Sequence, residues 1–280
     1  MPTITTNDRT TLFYRDVGEG RPVVFLASWG LSSAMWQYQI AHLAARGVRC
    51  IAYDRRGHGR SDDPGRGYDY DTMADDLAAL LEQLDLDDVV LIGHSMAGGE
   101  IIRYLTRHGD ARIAGVLLLA PTLPFPLKTP DNPEGLEPHM FEATRALWME
   151  DYPAWLTANA GPYFGEGVPG CSVSWELVEW TRHDMMQPSL STLIACNHSM
   201  VETDFRDELT RVRVPVLIVH GTVDRSAPLE LTGQRTAALI PGARLIVYEG
   251  GPHGLYLTHR ERFNAAIEAF ADACMAAGRT

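Results

Sequence analysis

Val89-Val90-Leu91-Ile92-Gly93-His94-Ser95-Met96-Ala97-Gly98-Gly99 is an aliphatic run that stops in a cluster of small residues around one serine. The run, short and bounded by glycine, suits a strand buried on both faces. The small residues suit a tight turn, and residues 95–108 carry helical apolar spacing. Strand, turn and helix form the context in which a G-x-S-x-G motif lifts a serine hydroxyl above a sheet. Its neighbours must be small because the following helix packs close behind. The start of that helix also turns backbone N–H groups toward developing negative charge. Ala97 stands at the last glycine position of the motif, and Gly98-Gly99 is expected to return the room its methyl takes. A serine between glycines is common in turns; the flanking strand and helix make Ser95 a candidate nucleophile.

Ser95 is inert unless a base takes its proton, and the base needs a carboxylate to fix its tautomer. In sheets of this kind the chain order is serine, acid, histidine. Asp224 lies in His220-Gly221-Thr222-Val223-Asp224-Arg225-Ser226-Ala227-Pro228, directly after a strand pattern, and His253 lies in Gly250-Gly251-Pro252-His253-Gly254 after the last one. Active sites gather beyond the carboxyl ends of such strands. A surface aspartate and a turn histidine would each be unremarkable alone; the order and context select them. The earlier strand ending Leu119-Ala120-Pro121-Thr122 offers no acid. His94 is expected to point away from the site, and His58, in Arg56-Gly57-His58-Gly59, reads as loop structure.

Working outward, strand patterns occupy residues 23–26, 49–53, 89–92, 116–120, 214–220 and 244–248, each bounded by Gly, Pro or Asp. Helical patterns occupy 71–84, 95–108 and 259–275. Such alternation predicts an α/β fold with a mostly parallel central sheet flanked by helices. The segment Gly18-Glu19-Gly20-Arg21-Pro22 lacks a phosphate-loop pattern and reads as a turn. Between Pro121 and about Arg211 the alternation breaks into a proline-rich stretch and short helical patterns holding Trp148, Trp155, Trp175 and Trp180. The expected division is therefore a core in two parts, residues 1–121 and 211–280, with an inserted helical cap at 122–210. The tryptophans of that insert are expected to form its own core, with a role in lining an acyl or alcohol pocket as the alternative.

Composition narrows the class. With 280 residues, 45% hydrophobic and 21% charged, the chain can bury a substantial core. Its 36 acidic against 24 basic residues give a net charge of −12, and no basic stripe offers a footprint for nucleic acid. No apolar run approaches membrane-spanning length, and the first ten residues carry no signal-peptide pattern. Cys50, Cys171, Cys196 and Cys274 show no CxxC or metal spacing, so reduced thiols and a cytoplasmic location are expected, with no metal and no cofactor.

Taken together these residues resemble the α/β-hydrolase superfamily, and within it the bacterial cofactor-free haloperoxidase, esterase and perhydrolase group. The group-level resemblance rests on Tyr53-Asp54-Arg55-Arg56-Gly57-His58-Gly59-Arg60-Ser61, Leu127-Lys128-Thr129-Pro130-Asp131-Asn132-Pro133, Glu202-Thr203-Asp204-Phe205 and Gly251-Pro252-His253-Gly254-Leu255. It implies hydrolysis of small or aryl carboxylic esters, in some members of lactones or lactams, through a Ser95-His253-Asp224 triad. It also implies peracid formation from acetate and peroxide in many members, and often a closed homo-oligomer, although no residue pattern identifies an interface. The implied oxyanion donors are the backbone N–H groups of Trp29 and Met96. Where relatives carry His-Gly before the first donor, this chain reads Leu26-Ala27-Ser28-Trp29-Gly30-Leu31. That departure removes a bracing side chain and restricts the backbone, with Gly30 expected to return some freedom. The Trp29 ring is expected to line the substrate pocket, with simple packing as the competing account. Three readings stay open: a carboxylesterase with a small-molecule ester substrate, a perhydrolase or haloperoxidase, and a non-hydrolytic ligand-binding member.

Overall fold

A computed structural model describes residues 1–277. Eight strands form one sheet: β1 (Thr3–Thr5), β2 (Thr11–Val17), β3 (Arg21–Leu26), β4 (Val48–Tyr53), β5 (Val89–His94), β6 (Ile113–Leu119), β7 (Val216–Gly221) and β8 (Arg244–Tyr248). They lie in the order β1-β2-β4-β3-β5-β6-β7-β8; the β1–β2 and β2–β4 pairings are antiparallel and the other five are parallel. The parallel part follows the sequence patterns closely. The β1–β2 edge carries no such pattern, because β2 alternates poorly and ends in exposed Asp16 and Val17.

The helices are α1 (Gln37–Ala44), α2 (Tyr70–Gln83), α3 (Ala97–His108), α4 (Pro138–Phe164), α5 (Trp175–Met185), α6 (Leu190–Glu202), α7 (Arg206–Leu209), α8 (Gly233–Leu239), α9 (Leu255–Thr258) and α10 (Arg260–Ala277). Strand side chains alternate between the two faces, as a period of two requires. Val24, Leu26, Leu91, Leu118 and Ile218 pack on the face covered by α2 and α3, while Phe25, Ile92, Leu117 and Val219 pack on the face covered by α1 and α10. All six residues of β5 are buried, so both faces of this strand are core.

Register decides where the loops end up. Leu26 pairs with Gly93, His94 with Leu119, Leu119 with Val219, and Gly221 with Tyr248. The carboxyl ends of β3, β5, β6, β7 and β8 are therefore level, and the segments that follow them emerge side by side.

Helices α4 to α7 form one excursion between the paired strands β6 and β7. The long α4 is two helices joined at Asp151, whose backbone (φ −158°, ψ 85°) is extended. Pro153 cannot continue the first half, since it has no N–H to donate. The Asp151 carboxylate accepts the Ala154 N–H at 2.9 Å and caps the second half. Ser174 and Ser189 cap α5 and α6 in the same way. Of the tryptophans expected in the core of this region, Trp148 is buried and Trp155 and Trp180 are half-buried; Trp175 instead is 64% exposed. None of the four cysteines is paired. Among the described residues no helix is long and apolar enough to cross a membrane, and no His, Cys, Asp and Glu group is placed to hold a metal.

Candidate active site

Strand β5 runs into a turn in which Ser95 adopts φ +58°, a left-handed conformation that costs a non-glycine residue of order 1–3 kcal/mol. The surroundings enforce it: Ser95 N–H donates to Leu119 O at 2.9 Å, tying the turn to the end of β6. A side chain on Gly93 would meet Ile101 Cδ1 at 2.7 Å and the Ala97 carbonyl at 3.2 Å, so the helix sits as close behind the serine as the motif demands. Ala97 is fully buried and its methyl is accommodated. Helix α3 begins at Ala97, two residues later than the apolar spacing indicates, because Ser95 and Met96 form the turn itself.

Asp224 and His253 meet as the order of the strands requires. His253 Nδ1–H donates to Asp224 Oδ2 at 2.7 Å, and both residues are buried. The other carboxylate oxygen accepts the N–H groups of Ser226 (2.9 Å) and Ala227 (2.8 Å), which holds the carboxylate in one orientation. Burial opposes the charge on Asp224, yet the attraction of His253 and the hydrogen bonds of His220 and His253 keep its carboxyl below the ordinary carboxylate range. His220 Nε2–H donates to Ala227 O at 2.7 Å and lies 3.3 Å from the same Asp224 oxygen.

His94 does not simply point elsewhere. Its ring centroid lies 4.5 Å from that of His253, and its Nε2–H donates to the His253 carbonyl at 3.1 Å. Burial and the neighbouring His253 hold His94 well below its usual range, so it stays neutral and braces the backbone of His253. Ser95 and His253 line one cavity of about 330 Å³. No hydrogen bond joins them, and such bonds commonly tighten only when substrate is present.

The loop after β3 forms the other side. Trp29 and Ser28 line the cavity. Among the described residues, the backbone N–H groups of Trp29 and Met96 donate to no protein acceptor. Their neighbours are engaged: Ser28 N–H with Met35 Sδ, Gly30 N–H with His58 Nε2 at 3.3 Å, and Ser95 N–H with Leu119 O. Gly30 takes φ +75°, the left-handed freedom this turn needs.

Two residues outside the sequence-derived set hold this loop. Arg55 Nη2 and Nη1 donate to the carbonyls of Ala27 (2.6 Å) and Ser28 (3.2 Å), while its Nε donates to Glu100 Oε1 at 2.7 Å. Arg55 and Glu100 are both buried, and Tyr53 donates to the other Glu100 oxygen at 3.0 Å. His58 is more than loop structure. Burial and the Arg55 charge push it down to about 3, so it is neutral at ordinary pH. Its Nδ1–H donates to Arg56 O, leaving Nε2 free to accept from Gly30. A signal existed in the stretch from Tyr53 to Ser61, but its partners are distant in sequence.

The excursion supplies the remaining wall. Trp148 stacks on Trp29 with centroids 4.6 Å apart, and Trp155 meets both edge-on. Trp29 Nε1–H donates to Leu193 O at 2.9 Å. The Trp29 ring thus both lines the cavity and packs. Tyr163, near the end of α4, lies edge-on to His253 at 5.4 Å.

Comparison with known proteins follows the same geometry. Residues 23–266 match the profile described as "Alpha/beta hydrolase family". The chain is 42% identical over 274 residues to a non-heme chloroperoxidase of Streptomyces lividans, covering 96% of this chain and 99% of that protein. It is 36% identical to a bifunctional esterase/perhydrolase of Acinetobacter calcoaceticus, over 96% of this chain and 99% of the relative. The crystal structure of a bromoperoxidase from Bacillus anthracis superimposes with a TM-score of 0.91 at 36% identity, over 97% and 99% of the two chains.

Proposed function

The chain belongs to the α/β-hydrolase family, and from that premise we propose that it is a serine hydrolase cleaving small carboxylic esters through an acyl-enzyme. The observation that carries this reading is Ser95, bent to φ +58° and lining the same cavity as a histidine bonded to a buried aspartate at 2.7 Å. His253 takes the Ser95 proton as the hydroxyl oxygen attacks the ester carbonyl. The N–H groups of Trp29 and Met96 donate to the oxyanion, a contribution of about 3–4 kcal/mol per donor in comparable sites. The carbon–oxygen bond to the alcohol breaks, and His253 returns the proton to the leaving oxygen. A water then gives its proton to His253, attacks the acyl carbon, and releases the carboxylic acid and free Ser95. Asp224 fixes the tautomer and stabilises the imidazolium throughout.

The excursion acts as the cap of the site, covering residues 122–210. A second reading, perhydrolysis, is favoured by the names of the relatives. There a carboxylic acid acylates Ser95 with loss of water, and hydrogen peroxide replaces water in the second step, giving a peracid that oxidises halide. A binding-only role for the altered loop after β3 has less support, since Arg55, His58 and Met35 hold that loop with the Trp29 N–H left open, as the Met96 N–H is in the turn after β5.

Turnover of p-nitrophenyl acetate and butyrate by wild type, lost by roughly 10⁴-fold or more in Ser95→Ala, is the expected result. An organophosphate should label Ser95 alone. Undiminished turnover in Ser95→Ala, or labelling elsewhere, would sink the reading. Bromination of an acceptor with acetate and peroxide decides between water and peroxide as the second nucleophile.

A further inference from the structure

The loop after β3 carries one polar group that none of its own bonds uses. Ser28 lines the cavity together with Ser95, Trp29 and His253, and it is 4% exposed. Its N–H donates to Met35 Sδ, and its carbonyl accepts from Arg55 Nη1 at 3.2 Å and from the Leu31 N–H at 3.3 Å. With both backbone groups engaged, the hydroxyl is what Ser28 has left, and among the described residues it has no partner. Unlike the unpartnered hydroxyl of Thr236, which is sealed off, that of Ser28 keeps accessible surface, and the space beside it is the cavity.

A loop serine ordinarily turns its hydroxyl to a backbone N–H two or three residues ahead. Both of those are taken here, because Gly30 N–H donates to His58 Nε2 and Leu31 N–H to the Ser28 carbonyl. Packing does not call for the hydroxyl either. Alanine would fill the same place with no polar group to desolvate.

Its position gives the hydroxyl a use. The open N–H of Trp29 is the next donor along the chain, and covalent geometry keeps Ser28 Oγ within about 5 Å of that nitrogen. Arg55, Met35 and Leu31 hold Ser28 in place without a substrate, so little reorganisation remains when charge develops beside it. A hydrogen-bond donor of this kind gains most when its acceptor becomes an anion.

We propose that Ser28 is a catalytic residue whose Oγ–H donates to the oxyanion, alongside the N–H groups of Trp29 and Met96. This rests on the esterase reading and adds a side-chain donor to its site. As Ser95 Oγ bonds to the acyl carbon, the carbonyl π pair moves onto oxygen and the Ser95 proton passes to His253. Ser28 keeps its own proton throughout and supplies only the hydrogen bond, which weakens again when the carbonyl re-forms.

The test measures p-nitrophenyl acetate hydrolysis by wild type, Ser28→Ala and Ser28→Gly. Both variants lack the hydroxyl and differ only at Cβ. Each should lose at least about tenfold in kcat with KM within about twofold, as an interaction made only in the transition state requires. A smaller loss, a loss that falls mainly on KM, or a loss confined to one variant overturns the proposal. Affinity for 2,2,2-trifluoroacetophenone, read by fluorine NMR as its hemiketal with Ser95, separates this from failure of the esterase reading. Wild type should bind the ketone at least about tenfold more tightly than Ser28→Ala, whether or not the acetate ester suits the pocket. Equal affinity overturns the donor and leaves the nucleophile standing. If wild type neither hydrolyses the ester nor forms the hemiketal, Ser95 is no nucleophile, no oxyanion arises, and both readings fall.

Discussion

The floor of the cavity and its helical wall are held by different kinds of interaction. The floor hangs from strand ends whose register is fixed by backbone ladders, and its loops are tied by short bonds to buried groups: Arg55 to Ala27 and Ser28, His58 to Gly30, Asp224 to two backbone N–H groups. The wall is a kinked helix pair with α5 and α6, joined to the rest of the fold mainly through side chains. Its polar links include Trp29 to Leu193, Ser32 to Asp184, Asp63 to Ser189 and Thr192, Ser199 to the Tyr68 carbonyl, and the Gly254 N–H to the Tyr163 carbonyl. It also exposes Leu147, Met149 and Trp175 to solvent. Reacting atoms must be placed to fractions of an ångström, which backbone ladders and buried ion pairs provide. Substrate shape needs only side chains on a helical surface, and those can differ without moving Ser95.

If the floor carries reactivity, its largest response should come from Asp224→Asn. An amide at that position favours the wrong His253 tautomer, so kcat for p-nitrophenyl acetate should fall by roughly 10⁴ with the fold intact by circular dichroism. A loss under tenfold would mean that Asp224 does not orient His253.

The next effect is on stability. Glu100→Gln leaves Arg55 buried without its countercharge, and breaking such a pair costs about 3–5 kcal/mol. Urea unfolding should show a loss of that size, and a loss below about 1 kcal/mol would remove the ion pair from the account of how the floor is held.

The wall should respond least. Trp155→Ala enlarges the cavity without touching the strand ends, so kcat for the acetate ester should stay within about tenfold of wild type while KM and chain-length preference shift. A collapse of kcat comparable to that of Asp224→Asn would erase the distinction between the two regions.

The same division explains what was legible in the sequence. Strands β3 to β8 and the turns bearing Ser95, Asp224 and His253 leave local signals, since each strand is an aliphatic run bounded by glycine, proline or aspartate. The β1–β2 edge leaves little, because Thr3–Thr5 is three residues long and β2 buries its side chains irregularly. Arg55 acts through Glu100, 45 residues away, and His58 through Gly30, 28 residues away, so only the folded chain assigns their parts. His94 likewise could be seen beside Ser95 but not against the His253 carbonyl. The wall was least legible: aromatic residues at helical spacing look alike whether they face a cavity, as Trp148 does, or solvent, as Trp175 does.

The direct pairing of β6 with β7 has one more consequence. Val116 faces Val216 and Leu119 faces Val219 although the whole excursion intervenes. The sheet therefore closes across the insertion point, and its register does not depend on how much chain is threaded between the two strands. On the proposed esterase reading, substrate choice and reactivity are then separable, because an exchanged insert meets strand ends whose register the sheet itself sets. Such an insert has to return the contacts this one makes, among them an acceptor for the Trp29 indole, a carboxylate for Ser32, hydroxyls for Asp63 and a carbonyl for the Gly254 N–H. On that reading, a lineage can change what it binds by exchanging the insert while the strand ends keep their places.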